Sequence, residues 1–188
     1  MAATSHMLEL GTTAPDFDLA DPHGTRATRD GAVGEHGLLV AFVCNHCPYV
    51  KHVGRELGLL TQKWMSRGIG VVGINSNDPD SYPDDAPDKM VEAARGWGWD
   101  FPYLVDETQE VAKAYRAACT PDFFLFDRDL RLAYRGQMDS SRPRSETPVT
   151  GTDLDAAVNA LVNGEPVPED QTPSMGCSIK WKPGNEPD

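Results

Sequence analysis

The sequence predicts an α/β domain in which a central sheet carries helices on both faces. Residues 38–43 and 69–74 are short, uninterrupted apolar runs, a pattern typical of parallel strands that are buried on both sides. Between them, apolar residues recur every three or four positions, which indicates a helix over about 48–66 that Gly68 ends. The resulting strand–helix–strand order predicts the layered architecture.

Shorter elements complete the predicted fold. Residues 8–29 are rich in turns and contain a short extended piece at 17–19. Two apolar runs, 123–126 and 130–134, flank a polar turn at 127–129 and predict an antiparallel hairpin. The remaining predictions are helices over about 87–97, 107–115 and 152–162, the last one capped by Thr152 and stopped by Gly164, and an extended piece over 101–105.

Two side-chain clusters have a structural interpretation. Residues 78–88 hold five aspartates, which do not follow the spacing of a helix–loop–helix calcium site, so we interpret them as solvated loop and helix caps. The four aromatic residues at 97, 99, 101 and 103 are expected to pack in the core and at its edge rather than to form a binding surface.

The predicted domain covers residues 8–164. Residues 1–7 are interpreted as an N-terminal extension or the remnant of a tag. Residues 165–188 are proline-rich and polar, and they predict an irregular C-terminal tail that either packs on the domain or wanders.

The composition excludes some partners. The 188 residues include 17 basic and 29 acidic side chains, for a formal net charge of −12, which repels nucleic acid and anionic membrane surfaces. No apolar run approaches the roughly 20 residues of a membrane span. The first residues lack the basic and apolar parts of a signal peptide. The expected location is cytoplasmic, with a leader removed earlier as the alternative.

The most informative motif is Cys44-Asn-His-Cys47, at the point where the first core strand gives way to a helix. Two cysteines three residues apart can form and break a disulfide without moving the fold. The thiolate is the reactive form, and helix N–H groups and nearby basic side chains stabilise it. The motif therefore predicts redox chemistry rather than a permanent structural disulfide.

Three features together carry a resemblance to a known family. They are Gly11-Thr-Thr-Ala-Pro-Asp-Phe17, the cysteine pair at the end of the first core strand, and Thr120-Pro121 before an apolar strand. Over about residues 8–163 the chain resembles the AhpC/TSA–redoxin branch of the thioredoxin-like superfamily. The resemblance implies a thioredoxin-like fold with a central mixed sheet. It also implies a cis bond before Pro121, at a turn that faces the cysteines and pairs with an incoming peptide.

The resemblance also implies roles for the cysteines. Cys44 is the expected nucleophile, and Cys47 resolves the mixed disulfide. If Pro48 occupies the first helical position, however, Cys47 becomes the helix cap and feels the helix dipole most, so the order stays open. His46 either stabilises the reduced thiolate or is an ordinary loop histidine.

Other residues have two interpretations each. Lys51 and His52 add positive potential or are ordinary surface residues. Cys119 lies beside Thr120-Pro121 and is either a third redox thiol or a small buried residue. Cys177 lies in an apolar island of the tail; Ile179 and Trp181 could anchor it near another thiol, and an exposed inert cysteine is the alternative.

The chain departs from its relatives at two places. Ala41 stands where thioredoxins usually carry a buried acid beneath the cysteines, so the proton acceptor for the resolving step is unassigned. Peroxiredoxins need a threonine three residues before the peroxidatic cysteine and an arginine near the second strand entry. Cys44 and Pro121 take those two places here, which disfavours peroxidase activity although Cys47-Pro48 is similar to the peroxiredoxin Cys-Pro pair.

The expected function is that of an enzyme, a thiol–disulfide oxidoreductase that acts through a mixed disulfide and needs no cofactor. Its catalytic residues are expected to be Cys44, His46, Cys47, Thr120 and Pro121. The expected partners are a disulfide-containing protein or small thiol and an external reductant such as a thioredoxin reductase or glutathione. The alternatives are a peroxiredoxin-like peroxidase and a Cu(I)- or Zn-handling protein with Cys44, Cys47 and His52 as ligands.

Overall fold

The computed structural model describes residues 2–187. Its strands are β1 (Ala2–Thr4), β2 (Asp18–Ala20), β3 (Arg26–Thr28), β4 (Gly37–Phe42), β5 (Ile69–Asn75), β6 (Tyr103–Val105), β7 (Cys119–Thr120), β8 (Asp122–Asp127), β9 (Leu132–Gly136) and β10 (Met175–Ser178). Its helices are α1 (Arg29–Ala32), α2 (Pro48–Met65), α3 (Pro87–Trp97), α4 (Glu110–Ala114) and α5 (Thr152–Asn163), and a short 3₁₀ turn covers Pro83–Asp85.

Seven strands form the central sheet in the order β3-β2-β6-β5-β4-β8-β9. The pairs β4–β5 and β5–β6 are parallel, and the remaining pairs are antiparallel, so the sheet is mixed. β4 lies between β5 and β8, and its six residues are all buried. This arrangement confirms the predicted α/β class, with a central mixed sheet flanked by helices.

The alternation of side chains along the strands builds two cores. In β4, Leu39 and Ala41 face one core, while Leu38, Val40 and Phe42 face the other. The first core packs against α2, α3 and α5, and the second packs against α4 and the N-terminal segment. Burial on both faces explains why β4, and β5 up to Ile74, carry no polar side chain.

The aromatic residues near α3 belong to the first core, as predicted. Trp99, Phe101 and Tyr103 are buried, and Trp97 is partly buried against the same cluster. No helix within residues 2–187 is long and apolar enough to cross a membrane.

A second, three-stranded sheet has the order β1-β10-β7. It joins both ends of the chain to the segment before Pro121, because β10 pairs with β1 on one side and with β7 on the other. Ile179 is buried in the second core, and Trp181 packs against it. The C-terminal segment therefore packs on the domain along residues 175–181.

Some predicted element ends are wrong for identifiable local reasons. α4 begins at Glu110 rather than 107 because Gln109 has a left-handed backbone (φ 63°). β9 begins at Leu132 because Leu130 also has a positive φ (58°) and its N–H bonds back to Asp127. The cap of α5 is Gly151 rather than Thr152.

Candidate active site

Cys44 and Cys47 lie between the end of β4 and the start of α2, where the sequence predicts them. Cys47 is the N-cap residue of α2, and Pro48 occupies the first turn. Both cysteine side chains are fully buried. Because Cys47 precedes the helix directly, its sulfur lies where the free N–H groups of the first turn are concentrated.

Asp85 holds the loop between the two cysteines. Its Oδ1 accepts hydrogen bonds from the backbone N–H groups of Asn45 (2.7 Å) and His46 (3.1 Å). Its Oδ2 accepts from the side-chain amide of Asn77 (2.8 Å) and lies 2.5 Å from Nδ1 of His46. Two donors from the loop and one from the segment after β5 therefore converge on one buried carboxylate.

Asp85 is the functional residue that the sequence analysis missed. The interpretation of residues 78–88 as solvated loop and caps is wrong for Asp85, whose side chain is completely buried, and for Asp78, which is also buried. One signal was available, since Ala41 leaves the usual place of a buried acid empty. The carboxylate comes instead from the 3₁₀ turn, about 40 residues further along the chain, by a contact that no local pattern predicts.

The segment before Pro121 contacts both sulfurs. The Thr120–Pro121 bond is cis, as the resemblance implies. The hydroxyl of Thr120 lies 3.2 Å from the Cys44 sulfur, and the carbonyl oxygen of Thr120 lies 3.1 Å from the Cys47 sulfur. Thr120 thus links the two cysteines across the site.

The two sulfurs have opposite protonation preferences. The pKa of the Cys47 thiol is lowered chiefly by a hydrogen bond from the Cys44 thiol, with further donors in Cys177 and the N–H of Val50. The pKa of Cys44 is raised because it donates to Cys47, is buried, and faces the charge of Asp85. The carbonyl oxygen of Thr120, an acceptor 3.1 Å from the Cys47 sulfur, opposes a thiolate there, and the lowered pKa is the balance that remains.

The remaining cysteines differ in placement. Cys119 is buried, its sulfur lies 3.6 Å from the carbonyl oxygen of Pro121, and burial raises its pKa, so it stays a thiol. Cys177 is half-buried, packs against the hydrophobic cluster that contains Cys44 and Cys47, and lowers the pKa of Cys47. Burial and the contact with Cys47 raise the pKa of Cys177 to about 11.

His46 and His52, the two histidines near the cysteine pair, have different surroundings. The His46 ring contacts Asp85 and stacks on Tyr82 at 5.4 Å between ring centroids, rather than lying free in the loop. The Nε2 atom of His52 is buried and has no hydrogen-bond partner among the described residues. Lys51 is exposed.

The side chains that could hold a metal differ from the alternative set in the sequence analysis. Cys44, His46 and Asp85 have ligand atoms within 4.8 Å of one another. In the part of the chain that the structure describes, His52 does not join Cys44 and Cys47 in such a group. His46 Nδ1 already contacts Asp85, so we interpret this group as a hydrogen-bonded network rather than as a metal site.

The fold and the site define a thioredoxin-like protein with a cysteine pair at the start of its first long helix. A model of the AhpC/TSA family matches residues 10–135, and the chain belongs to that family. An uncharacterized conserved protein from Geobacillus kaustophilus superposes with a TM-score of 0.95 and 52% identity, over 98% of each chain.

Two further relatives have functional names. The thiol-disulfide oxidoreductase ResA from Geobacillus thermodenitrificans (strain NG80-2) is 24% identical over 120 residues, which are 64% of this chain and 64% of ResA. A putative thiol:disulfide interchange protein DsbE from Chlorobium tepidum superposes with a TM-score of 0.62 and 18% identity, over 82% of this chain and 99% of that one. This second likeness shows the shared fold.

Proposed function

We propose that the protein is a thiol–disulfide oxidoreductase that cycles Cys44 and Cys47 between a dithiol and a disulfide. The observation that carries the proposal is the state of Cys47. It caps α2, its sulfur lies 3.1 Å from the carbonyl oxygen of Thr120, and the neighbouring Cys44 thiol lowers its pKa. A thiolate beside a second thiol is what attack on a disulfide and subsequent resolution require.

In the proposed order, Cys47 attacks first, which reverses the order favoured by the sequence. The Cys47 thiolate bonds to one sulfur of the substrate disulfide, and the other substrate sulfur leaves as a thiolate. Cys44 then loses its proton and attacks the Cys47 sulfur, which forms the Cys44–Cys47 disulfide and releases the second substrate thiolate.

Asp85 is the proposed proton acceptor for that second step. Its carboxylate is grouped with Cys44 within 4.8 Å, and its charge raises the pKa of Cys44. The same charge therefore keeps Cys44 protonated at rest and offers a place for the proton when Cys44 attacks. His46, bonded to Asp85, is the proposed positioning residue for this acid.

The proposed partners are a disulfide-containing protein or a small thiol, together with an external reductant such as a thioredoxin reductase or glutathione. A cytoplasmic location and the absence of a cofactor requirement complete the proposal. Peroxide reduction has less support, because Cys44 and Pro121 stand where peroxiredoxins place the threonine and the arginine.

Trapping of the mixed disulfide tests the order of attack. In a Cys177→Ser background, Cys44→Ser and Cys47→Ser are each treated with glutathione disulfide, quenched in acid, alkylated and mapped by mass spectrometry. We expect the glutathione adduct on Cys47 in the Cys44→Ser protein and little adduct on Cys44 in the Cys47→Ser protein.

Two other outcomes are informative. An adduct on Cys44 alone would restore the order favoured by the sequence. The oxidoreductase proposal itself fails if the wild-type protein forms no reversible Cys44–Cys47 disulfide in a glutathione redox buffer.

A further inference from the structure

Because the cysteine pair is buried, its sulfurs need a route by which they exchange electrons with a partner at the protein surface. Cys44 and Cys47 are both fully buried, whereas Cys177 is half-buried; it packs against the cluster that contains them and pairs with Thr120, whose carbonyl oxygen lies 3.1 Å from the Cys47 sulfur. Cys177 belongs to the strand β10, which pairs with β7 beside the cysteine pair.

β10 occupies the edge of β7. Cys177 pairs with Thr120 and Ser178 pairs with Cys119 in antiparallel register, directly before the cis Pro121. The family resemblance implies that this edge pairs with an incoming peptide. In the structure, the paired peptide is the protein's own C-terminal strand, with a cysteine opposite Thr120.

The fit of β10 depends on a close approach of two backbones. A Cβ atom on Gly176 would lie 2.0 Å from the carbonyl oxygen of Thr120, so a side chain at this position requires the strand to move. β1 pairs with the other edge of β10, with Ala3 opposite Gly176. The strand is thus held on both sides at the position where it presents Cys177.

We propose that Cys177 is a third redox thiol, which exchanges with the buried pair to form a Cys47–Cys177 disulfide while β10 acts as a built-in substrate strand. The proposal rests on the oxidoreductase function proposed above. It assigns a role to the tail, and it makes the half-buried Cys177 sulfur the contact point for an external thiol.

The exchange needs no additional oxidant. Starting from the Cys44–Cys47 disulfide, the Cys177 sulfur loses its proton and attacks the Cys47 sulfur. The Cys44–Cys47 bond breaks, the Cys47–Cys177 bond forms, and the Cys44 sulfur takes up a proton, so that one disulfide and one thiol are present before and after.

The electrostatics of Cys47 favour the following step. An external thiolate that attacks the Cys177 sulfur displaces the Cys47 thiolate. Thiols with a low pKa leave faster in such exchanges, and the donors around Cys47 stabilise its thiolate. The external thiol is then joined to Cys177, and a second external thiol releases it as a disulfide.

Disulfide mapping of four proteins in one glutathione redox buffer tests the proposal. The Cys44→Ser protein is expected to hold a Cys47–Cys177 disulfide in most molecules. Cys44→Ser/Cys119→Ala is the matched control that removes the other nearby thiol, and it should form the same disulfide. Cys44→Ser/Cys177→Ser should carry a glutathione adduct on Cys47 instead. The wild-type protein reports the Cys44–Cys47 couple.

The outcomes separate the two proposals. If the wild-type protein forms a reversible Cys44–Cys47 disulfide but the Cys44→Ser protein keeps a glutathione adduct on Cys47 with Cys177 free, the exchange proposal is overturned and the oxidoreductase function stands. If the wild-type protein forms no such disulfide, the oxidoreductase function fails, and the exchange proposal, which rests on it, fails as well.

A substitution in β10 supplies a second measurement that leaves every cysteine in place. Gly176→Ala is expected to release the strand, because of the clash with Thr120, and to raise the alkylation rate of Cys47 by iodoacetamide at least about tenfold. Met175→Ala, an exposed neighbour, is the control and should leave the rate unchanged. Equal rates in all three proteins would show that β10 does not cover Cys47, against the proposal.

Discussion

Two buried carboxylates near the cysteines, Asp85 and Asp122, are stabilised in opposite ways. Asp85 accepts hydrogen bonds from two backbone N–H groups and one side-chain amide, and it contacts the His46 ring. Asp122 accepts one from the N–H of Ala118, and its Oδ1 has no hydrogen-bond partner within residues 2–187. Burial raises the pKa of Asp122 to about 7.

The difference teaches that donors, more than depth, decide what a buried carboxylate does. Burial penalises the charged form of any acid, and hydrogen bonds to the carboxylate offset that cost. Asp85 has enough donors to hold the loop of the cysteine pair in place. Asp122 has too few, so it titrates near neutral pH. The charge of Asp122 raises the pKa of Cys119, whereas the charge of Asp85 raises the pKa of Cys44.

The largest expected effect comes from removing the carboxylate of Asp85. Asp85→Ala leaves the N–H groups of Asn45 and His46 and the amide of Asn77 without their acceptor in a buried place. We expect the free energy of unfolding to fall by about 3–5 kcal/mol, as is usual when a buried charged partner is lost. Urea denaturation of the reduced protein measures the change.

The neighbouring Asp84→Ala is the matched control for that experiment. Asp84 is exposed, and it contributes only its backbone carbonyl to the loop. Its substitution should change the free energy of unfolding by less than about 0.5 kcal/mol. Equal losses in the two variants would show that Asp85 does not hold the loop.

The next effect separates the carboxylates by their chemistry. Asp85→Asn keeps an oxygen that accepts from the loop but removes the proposed proton acceptor for Cys44. We expect decay of the mixed disulfide to slow by about 10²-fold, the lower range for loss of a general base. Stopped-flow mixing with a fluorescent disulfide probe measures this rate across pH.

Asp122→Asn provides the comparison, because Asp122 acts on Cys119 rather than on the pair. It should leave the rate of mixed-disulfide decay close to that of the wild-type protein. If mixed-disulfide decay slowed equally in both variants, Asp85 would not be the proton acceptor for Cys44.

The most gradual expected effect is a pH dependence of stability caused by Asp122. Its pKa is raised from 3.8 to about 7, so the folded state holds this proton more tightly than the unfolded state. The resulting stabilisation is complete below pH 3.8 and is lost as pH rises to about 7. The slope is at most about 1.4 kcal/mol per pH unit.

Urea denaturation between these pH values measures the slope. The slope should be absent from the Asp122→Asn protein. It should be unchanged in the Asp129→Asn protein, which serves as the control because Asp129 is exposed in the β8–β9 turn. A wild-type slope that persists in Asp122→Asn would assign the titration to another group.

The local patterns predicted the elements that carry the site. The apolar run before Cys44 predicted β4, and the three- and four-residue spacing of apolar side chains predicted α2. Pro48 predicted that Cys47 would cap α2 if the proline stood in its first turn, which is where the structure places it. Each of these predictions depends on residues close in sequence, where side-chain period and capping chemistry act.

Contacts between distant segments were beyond those patterns. β1 and β10 are short strands with little local signal. β1 exists because it pairs with β10, and β10 exists because it pairs with β1 and with β7. The burial of Asp85 was predicted incorrectly because an aspartate-rich stretch has the composition of a solvated loop. Only the folded chain brings that carboxylate against the N–H groups of the cysteine loop.

The sequence by itself determined the class of this protein, since periodicity, the cysteine spacing and the Thr120-Pro121 pair all follow from short segments. The tertiary structure decided which sulfur is favoured as the thiolate, which acid faces Cys44 and which thiol touches Cys47. The physical reason is that protonation and reactivity depend on donors and charges within a few ångströms. Here those groups come from segments separated by about 40 to 130 residues in the chain.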